Sequence, residues 1–368
     1  MEPILSNKDW NNLLQRYAWV RDMEGVPQDP RHHAEGDVAT HTRMVLDALV
    51  GLPEYQGLNP HLQEVIWIAA LLHDVEKRST TFREEDGSIV SPGHAKKGAL
   101  TTRHILMTGL PVPFATREAI VGLVRYHGLP LWVMHKPDPQ KALLAVSLAV
   151  NTEWLAMLAK ADVLGRICTD RTELLERIEF FEAYCKEQGC WGTAYAFASD
   201  AARFEYFHKE GGSPLYKPHE AAICEVTMLC GLPGMGKDFY FRQHCPDLPV
   251  VSLDAIRRAH KLKPDDKAAT GWVVQQAKEA ARVHLRAKQN FVWNATNITR
   301  QMRSQLIALF ADYGARIKLV YVEKPFHTWR TQNAEREHVV PISVLNKLLN
   351  KLEVPTADEA HEVVYWVA

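Results

Sequence analysis

Val226-Thr227-Met228-Leu229-Cys230-Gly231-Leu232-Pro233-Gly234-Met235-Gly236-Lys237-Asp238 is the stretch on which the fold turns. An apolar run of strand type feeds directly into Gly-x-x-x-x-Gly-Lys, and Phe239-Tyr240-Phe241-Arg242-Gln243 can start a helix. Strand, glycine loop and helix N-terminus in that order are what a phosphate-binding loop requires. The main-chain N–H groups of a turn through Gly231, Gly234, Met235 and Gly236 would face anionic oxygens, with Lys237 adding a point charge. Asp238 stands where this pattern usually carries the Ser or Thr whose hydroxyl sits on magnesium. A carboxylate also ligates a hard cation. The plain alternative, an ordinary glycine turn, does not explain the strand in front of it.

Beyond the loop the chain alternates. Strands are expected at 226–230, 250–253, 291–293 and 317–322, and helices at 271–288, 300–313, 326–335 and 342–352, which together predict an α/β domain with a parallel sheet. Before it, Lys209-Glu210-Gly211-Gly212-Ser213-Pro214-Leu215-Tyr216-Lys217-Pro218 fits neither helical nor strand periodicity and reads as a domain boundary. The expected division is 1–209, a linker at 210–220, and 221–368. A chain of 368 residues suits two cores better than one.

The N-terminal half is helical nearly throughout by its apolar period, in 10–20, 38–50, 62–72, 142–150, 154–164 and 174–184. An all-α domain is the expectation. His41 falls in one helix, His73-Asp74 closes the very apolar Val65-Ile66-Trp67-Ile68-Ala69-Ala70-Leu71-Leu72, and Asp162 lies in another. A charged carboxylate ending so apolar a segment is costly unless paired or ligating a metal. Imidazole and carboxylate from separate helices suit a divalent ion. His94 and His127 could supply a second ion, whereas His32 and His33 are equally well explained by a polar loop.

In order, His41, His73-Asp74 and Asp162, with His94 and His127 between, resemble the HD phosphohydrolase superfamily over most of residues 30–165. The segment His33-Ala34-Glu35-Gly36-Asp37-Val38-Ala39-Thr40-His41-Thr42 is close to HD domains joined to tRNA nucleotidyltransferases. The resemblance implies a divalent metal (Mn, Co, Ni, Zn or Mg) that holds a phosphoester and supplies the attacking hydroxide. Lys77, three residues beyond Asp74, could offset charge on the phosphate.

Two features of the second half resemble P-loop polynucleotide kinases. Val251-Ser252-Leu253-Asp254-Ala255-Ile256-Arg257 puts Asp254 after a strand with Arg257 one helical turn on. By resemblance Asp254 is the general base for a 5′-hydroxyl and Arg257 engages a substrate phosphate; the other reading is that Asp254 caps its helix. Arg330-Thr331-Gln332-Asn333-Ala334-Glu335-Arg336 resembles the kinase lid, in which Arg336 would contact the ATP phosphates. Arg330 either assists or is part of a solvated face. Asn294, Thr296 and Asn297 either bind nucleotide or order their loop. Arg257, Arg258, Lys261, Lys263 and Lys267, with Arg282, Arg286 and Lys288, are either solvated faces or backbone contacts for a nucleic acid.

The combination resembles bacterial bifunctional end-healing enzymes. It implies an RNA or DNA substrate with a 5′-OH at one end and a 2′,3′-cyclic phosphate or 2′-phosphate at the other, ATP or another NTP with Mg2+ as phosphate donor, and a separate ligase acting afterwards. Three rivals stand: a nucleotide phosphohydrolase fused to a small-metabolite kinase, a tRNA-maturation factor, and a nucleotide-gated binding protein without activity. Composition adds bounds. A net charge of −1 and a pI near 7.0 argue against a strongly basic nucleic-acid coat. Six cysteines without Cys-x-x-Cys, and no basic-then-apolar leader, lead us to expect reduced thiols in a cytoplasmic protein; no apolar run of membrane-span length is present.

Overall fold

The computed structural model describes residues 3–219, 222–262, 266–335 and 339–367. They form two compact units, Met1–Ala196 and Phe197–Ala368. The main helices of the first unit are α1 (Trp10–Arg16), α2 (Val38–Gly51), α3 (Pro60–Leu72), α4 (His94–Thr108), α5 (Phe114–Tyr126), α6 (Pro139–Ser147), α7 (Thr152–Leu164) and α8 (Arg171–Glu187). It is not purely helical: β1 (Phe82–Arg83) and β2 (Ile89–Val90) pair as an antiparallel hairpin. Its core helix is α3, started by Asn59, whose side chain accepts from Leu62 N, and by Pro60 in the first turn. Ile66, Ile68, Ala69, Ala70 and Leu72 are fully buried, because a helix apolar all round is covered on every side. α4 and α5 went unnamed in the apolar periodicity, since α4 opens His94-Ala95-Lys96-Lys97-Gly98 and looks polar until its second turn.

The second unit holds α9 (Asp200–His208), β3 (Glu225–Cys230), α10 (Lys237–His244), β4 (Val250–Ser252), α11 (Leu253–Ala259), α12 (Lys267–Arg286), β5 (Phe291–Asn294), α13 (Arg300–Asp312), β6 (Arg316–Glu323), α14 (Phe326–Ala334), α15 (Ile342–Leu349) and β7 (Glu362–Val367). The five strands pair in parallel in the order β4-β5-β3-β6-β7. Register aligns Ser252 with Asn294 and Asn294 with Leu229, so the C-terminal ends of β4, β5 and β3 share one edge. Parallel α/β sheets line their sites along that edge.

The division falls at 196/197, before the expected 209. Phe204 on α9 belongs to the core that contains Val226, Phe291, Ile317 and Ala360. Arg203 donates from Nε to Ala357 O at 2.9 Å and from Nη2 to His361 O at 2.5 Å. The Gly/Pro-rich stretch is therefore a loop inside the second unit. β7 is likewise a strand that the sequence reading passed over. No single helix among the described residues is long and apolar enough to cross a membrane; α6 and α7 qualify only as a pair bent by 108°.

Candidate functional site

In the first unit, His41, His73, Asp74, His127 and Asp162 are at most 5% exposed, and they meet. His41 reaches inward from the first turn of α2, which Asp37 starts by accepting from Thr40 N at 2.8 Å. His73 and Asp74 follow α3 directly; Asp162 comes from the last turn of α7, His94 opens α4, and His127 ends α5. His41 Nε2 lies 3.1 Å from Asp162 Oδ1 and 3.7 Å from Asp74 Oδ2. His73 Nε2 is 3.3 Å from the same Asp74 oxygen. The other oxygen of Asp74 faces His94 Nε2 at 3.4 Å and His127 Nε2 at 3.9 Å. Among the described residues three ligand sets result, each with its atoms within 4.8 Å of one another: His33–Glu35–His41, His41–His73–Asp162 and Asp74–His94–His127. Asp74 presents one oxygen toward His41 and His73 and the other toward His94 and His127.

The rings are held from behind. His73 Nδ1 donates to Ala70 O at 2.7 Å, His94 Nδ1 to Ser91 O at 2.7 Å, and His127 Nδ1 to Val124 O at 2.9 Å. A carbonyl only accepts, which places the proton on Nδ1 and turns the Nε2 lone pair toward the cluster. The His94 and His127 Nε2 atoms then face each other at 3.3 Å. His41 Nε2, His73 Nε2 and Asp74 Oδ1 are buried with no hydrogen-bond partner. Orphaned lone pairs beside carboxylates are donors that could hold a divalent ion, and these residues fit one.

Cations outside the cluster steady the carboxylates. Lys77 Nζ lies 2.7 Å from Asp74 Oδ2 and also donates to Gln28 Oε1 at 2.7 Å. Arg166 grips Asp162 with Nε at 3.0 Å and Nη2 at 2.5 Å. Burial alone would raise the Asp74 carboxyl, but Lys77 and His73 hold it well below the usual carboxylate range. Asp162 is likewise held low against burial by Arg166 and His41. Burial, aided by His73 and His94, pushes His127 down to about 3; burial lowers His73 as well, but Asp74, Asp162 and the Ala70 carbonyl together raise it.

Two partners escaped the sequence reading. Arg166 was findable, since four residues after Asp162 is the same helical face. Glu35, inside the quoted His33–Thr42 segment, is fully buried in its side chain, 2.9 Å from His41 Nδ1 and 2.8 Å from His33 Nδ1; its second oxygen accepts from Ile167 N at 2.8 Å. His33 thus belongs to the rim of the cluster, while His32 is largely exposed, 3.7 Å from Asp170.

In the second unit the glycine loop is shaped by its backbone. Gly231 has φ +145°, and a Cβ there would meet Val322 O at 2.4 Å; Gly234 and Gly236 also take positive φ. Met235 is buried, and Trp329 Nε1 donates to Pro233 O at 2.7 Å, bracing the loop from α14. Lys237 Nζ donates to Gly231 O and Leu232 O at 2.8 and 2.9 Å. Asp238, at the start of α10, accepts from Asn294 Nδ2 at 2.7 Å, which assigns Asn294 to the edge of the loop. Asn297 serves its own turn: with φ +47° it donates from Nδ2 to Leu229 O at 2.6 Å, and Thr296 O accepts from Gly231 N.

Ser252, whose Oγ accepts from Ala255 N, is the N-cap of α11, so Asp254 is free of the capping role that was its alternative. Asp254 is 77% exposed and bonded to Arg257 Nη1 at 2.9 Å. Arg258 and Lys261 are exposed, Arg282 pairs with Glu279, and Arg330 lies exposed over the Phe326 ring. Lys263, Arg336 and the Lys267 side chain lie outside the described residues.

Residues 226–355 match a protein family described as an AAA domain. Among characterised proteins, the chain is 36% identical over 103 residues to a multifunctional CCA protein of Halorhodospira halophila, covering 28% of this chain and 22% of that one. It is 23% identical over 167 residues to heterogeneous nuclear ribonucleoprotein U-like protein 2 of Mus musculus, covering 40% and 22%. The chain thus spans less than a quarter of the length of either relative. A gluconokinase structure from Sinorhizobium meliloti covers 40% of this chain and 84% of its own, at 18% identity and a TM-score of 0.29, too distant to carry a function. The second unit is an α/β domain whose glycine loop follows the P-loop pattern.

Proposed function

We propose that this protein is a bifunctional nucleic-acid end-healing enzyme: the helical unit, an HD-type domain, removes a 2′,3′-cyclic phosphate or 2′-phosphate, and the P-loop unit phosphorylates a 5′-hydroxyl. The observation that carries the first activity is the set of imidazoles whose Nδ1 atoms are anchored on oxygens while their Nε2 atoms converge on Asp74. His41, His73, Asp74 and Asp162 would hold one divalent ion, with Asp74 shared toward a second at His94 and His127. Such ions supply Lewis-acid charge to a phosphoester and make water nucleophilic near neutral pH. The protein's own part is to keep both carboxylates ionised, through Lys77 and Arg166, and to fix the imidazole tautomers.

In the P-loop unit, loop amides from Gly231 to Gly236 and Lys237 would hold the triphosphate, and Asp238, which accepts from Asn294, would supply a carboxylate for its magnesium. Asp254 accepts the proton of the 5′-hydroxyl as that oxygen bonds to the γ-phosphorus and the bond to the β–γ bridging oxygen breaks. Arg257 orients Asp254 and meets substrate phosphate; Arg336 would neutralise the transferring group.

The test uses an RNA with 5′-OH and 2′,3′-cyclic phosphate ends, incubated with ATP and either Mg2+ or Mn2+, and analysis of both termini. A 5′-phosphate and a free 2′,3′-diol are expected. Phosphorylation of nucleosides or small metabolites alone, with hydrolysis of free nucleotides alone, would replace this reading with that of a phosphohydrolase fused to a metabolite kinase.

A further inference from the structure

Beside the buried cluster lies a cleft of about 550 Å3, walled on one side by residues 28–36 and on the other by the β1–β2 hairpin. The volume falls within the range of small-ligand sites. Two of its lining residues lead directly to the cluster. Gln28 shares the Lys77 ammonium with Asp74, and the His33 ring stands edge-on to His41 with centroids 4.7 Å apart. A group in the cleft is therefore a neighbour of whatever the cluster holds.

The walls are fixed, polar and balanced in charge. Asp29 grips Arg31 through Nε at 2.9 Å and Nη2 at 2.6 Å, and it also accepts from Ile89 N at 3.3 Å, tying the hairpin to the opposite wall. Arg31 stays 67% exposed in its side chain, so a guanidinium plane locked along one edge is presented toward solvent. Flat cations of this kind stack on nucleobases. The hairpin adds one charge of each sign to the lining, Arg83 and Asp86, with the Asp86 carboxylate acting on the Arg31 charge. Arginines matched by acids do not select a second phosphate; they suit a neutral moiety with a planar ring and hydroxyl donors.

The geometry points to this cleft as a nucleoside subsite: it takes the base and ribose that carry the phosphoester, with Arg31 as the stacking platform. The inference rests on the proposed phosphohydrolase reading and adds its specificity. It restricts the helical unit to substrates with a nucleoside at the reacting end.

Two measurements on the full chain test it. The first is equilibrium binding of adenosine with inorganic tripolyphosphate in excess to fill the P-loop; Arg31→Ala should weaken it about tenfold, the loss expected for a base–side-chain stack. The second compares Mn2+-supported hydrolysis of adenosine 2′,3′-cyclic phosphate with that of glycerol 1,2-cyclic phosphate, which carries no planar ring. Arg31→Ala should raise KM for the nucleotide about tenfold and leave the glycerol ester within twofold. Equal effects on both esters, or unchanged adenosine binding, would overturn the subsite. Wild-type protein that hydrolyses neither ester would sink the phosphohydrolase reading, and adenosine binding would still decide the subsite.

Discussion

The two sites are built on opposite terms. In the helical unit the converging groups are side chains, removed almost wholly from water and positioned by carbonyls and counter-charges behind them. In the P-loop unit the shape comes from main chain, in glycines that tolerate positive φ, while Asp254, the base proposed above, stands largely in solvent. The first arrangement concentrates electrostatic stress inside the fold, because buried lone pairs and carboxylates need a positive partner. The second carries little stress, since Lys237 rests on its own loop carbonyls. Ligands should therefore change the stability of the helical unit strongly, and chiefly the reactivity of the other.

Separating the chemistries gives the largest effects. Lys237→Ala should reduce ATP-dependent 5′-phosphorylation at least about 100-fold, as loss of a preorganised charge does, and leave phosphoester hydrolysis intact. Asp74→Asn should do the reverse. Labelled oligonucleotides assayed at both ends provide the readout, and one variant losing both activities would erase the contrast between two independent sites.

Next in size is the response to metal. Mn2+ or Ni2+ at about 100 times its dissociation constant should stabilise the helical unit by about 2.7 kcal/mol, a rise of about 5–10 °C in its melting transition for a unit of this size. EDTA should reverse it, and His73→Ala should abolish it. A calorimetric scan that shows the P-loop unit shifting instead would contradict the assignment of the orphaned atoms.

A finer probe of the buried side is Glu35→Gln. Its carboxylate fixes the His41 imidazole from behind, and removal of such a partner typically weakens metal binding about 10- to 100-fold. Titration calorimetry with Mn2+ measures this directly, without reference to turnover. An unchanged affinity would mean that Glu35 serves only His33 and the Ile167 amide.

The same contrast explains what the sequence disclosed. The phosphate loop is contiguous, and its strand and glycines must be neighbours in the chain to work, so one stretch displayed it; β3 to β6 followed from the alternation. The helical cluster is assembled from five elements, and only the residue types and their order were visible. Glu35 and Arg166 act through pairings that exist only after folding. The domain edge was misplaced for a related reason: Gly and Pro mark where the backbone turns, whereas Phe204 joins the second core through packing that no local composition reports. Asp254 shows the converse. Its position after a strand suggested either a base or a cap, and only coordinates showed Ser252 in the capping place.

The smallest expected effect concerns the P-loop unit, where stability should depend on pH through His361. Its ring stacks on Phe204 with centroids 3.8 Å apart, and its Nδ1 accepts from Ile317 N at 3.1 Å. Burial, then the positive charges of Arg316 and His208, push this imidazole down to about 4, with Asp200 opposing and Arg203 adding to the depression. A protonated Nδ1 would also turn a donor toward the Ile317 amide. Because the folded pKa lies below the ordinary value of about 6.5, the unfolded chain binds the proton first. Stability is then full above pH 6.5, declines as pH falls toward 4, and levels off below that. Urea denaturation followed by Trp fluorescence at pH 7.5, 5.5 and 4.5 measures the slope, and His361→Gln, which keeps an acceptor for Ile317 N, should flatten it. A slope unchanged by that substitution would move the pH dependence to other groups and leave the P-loop unit as insensitive to protons as its exposed site suggests.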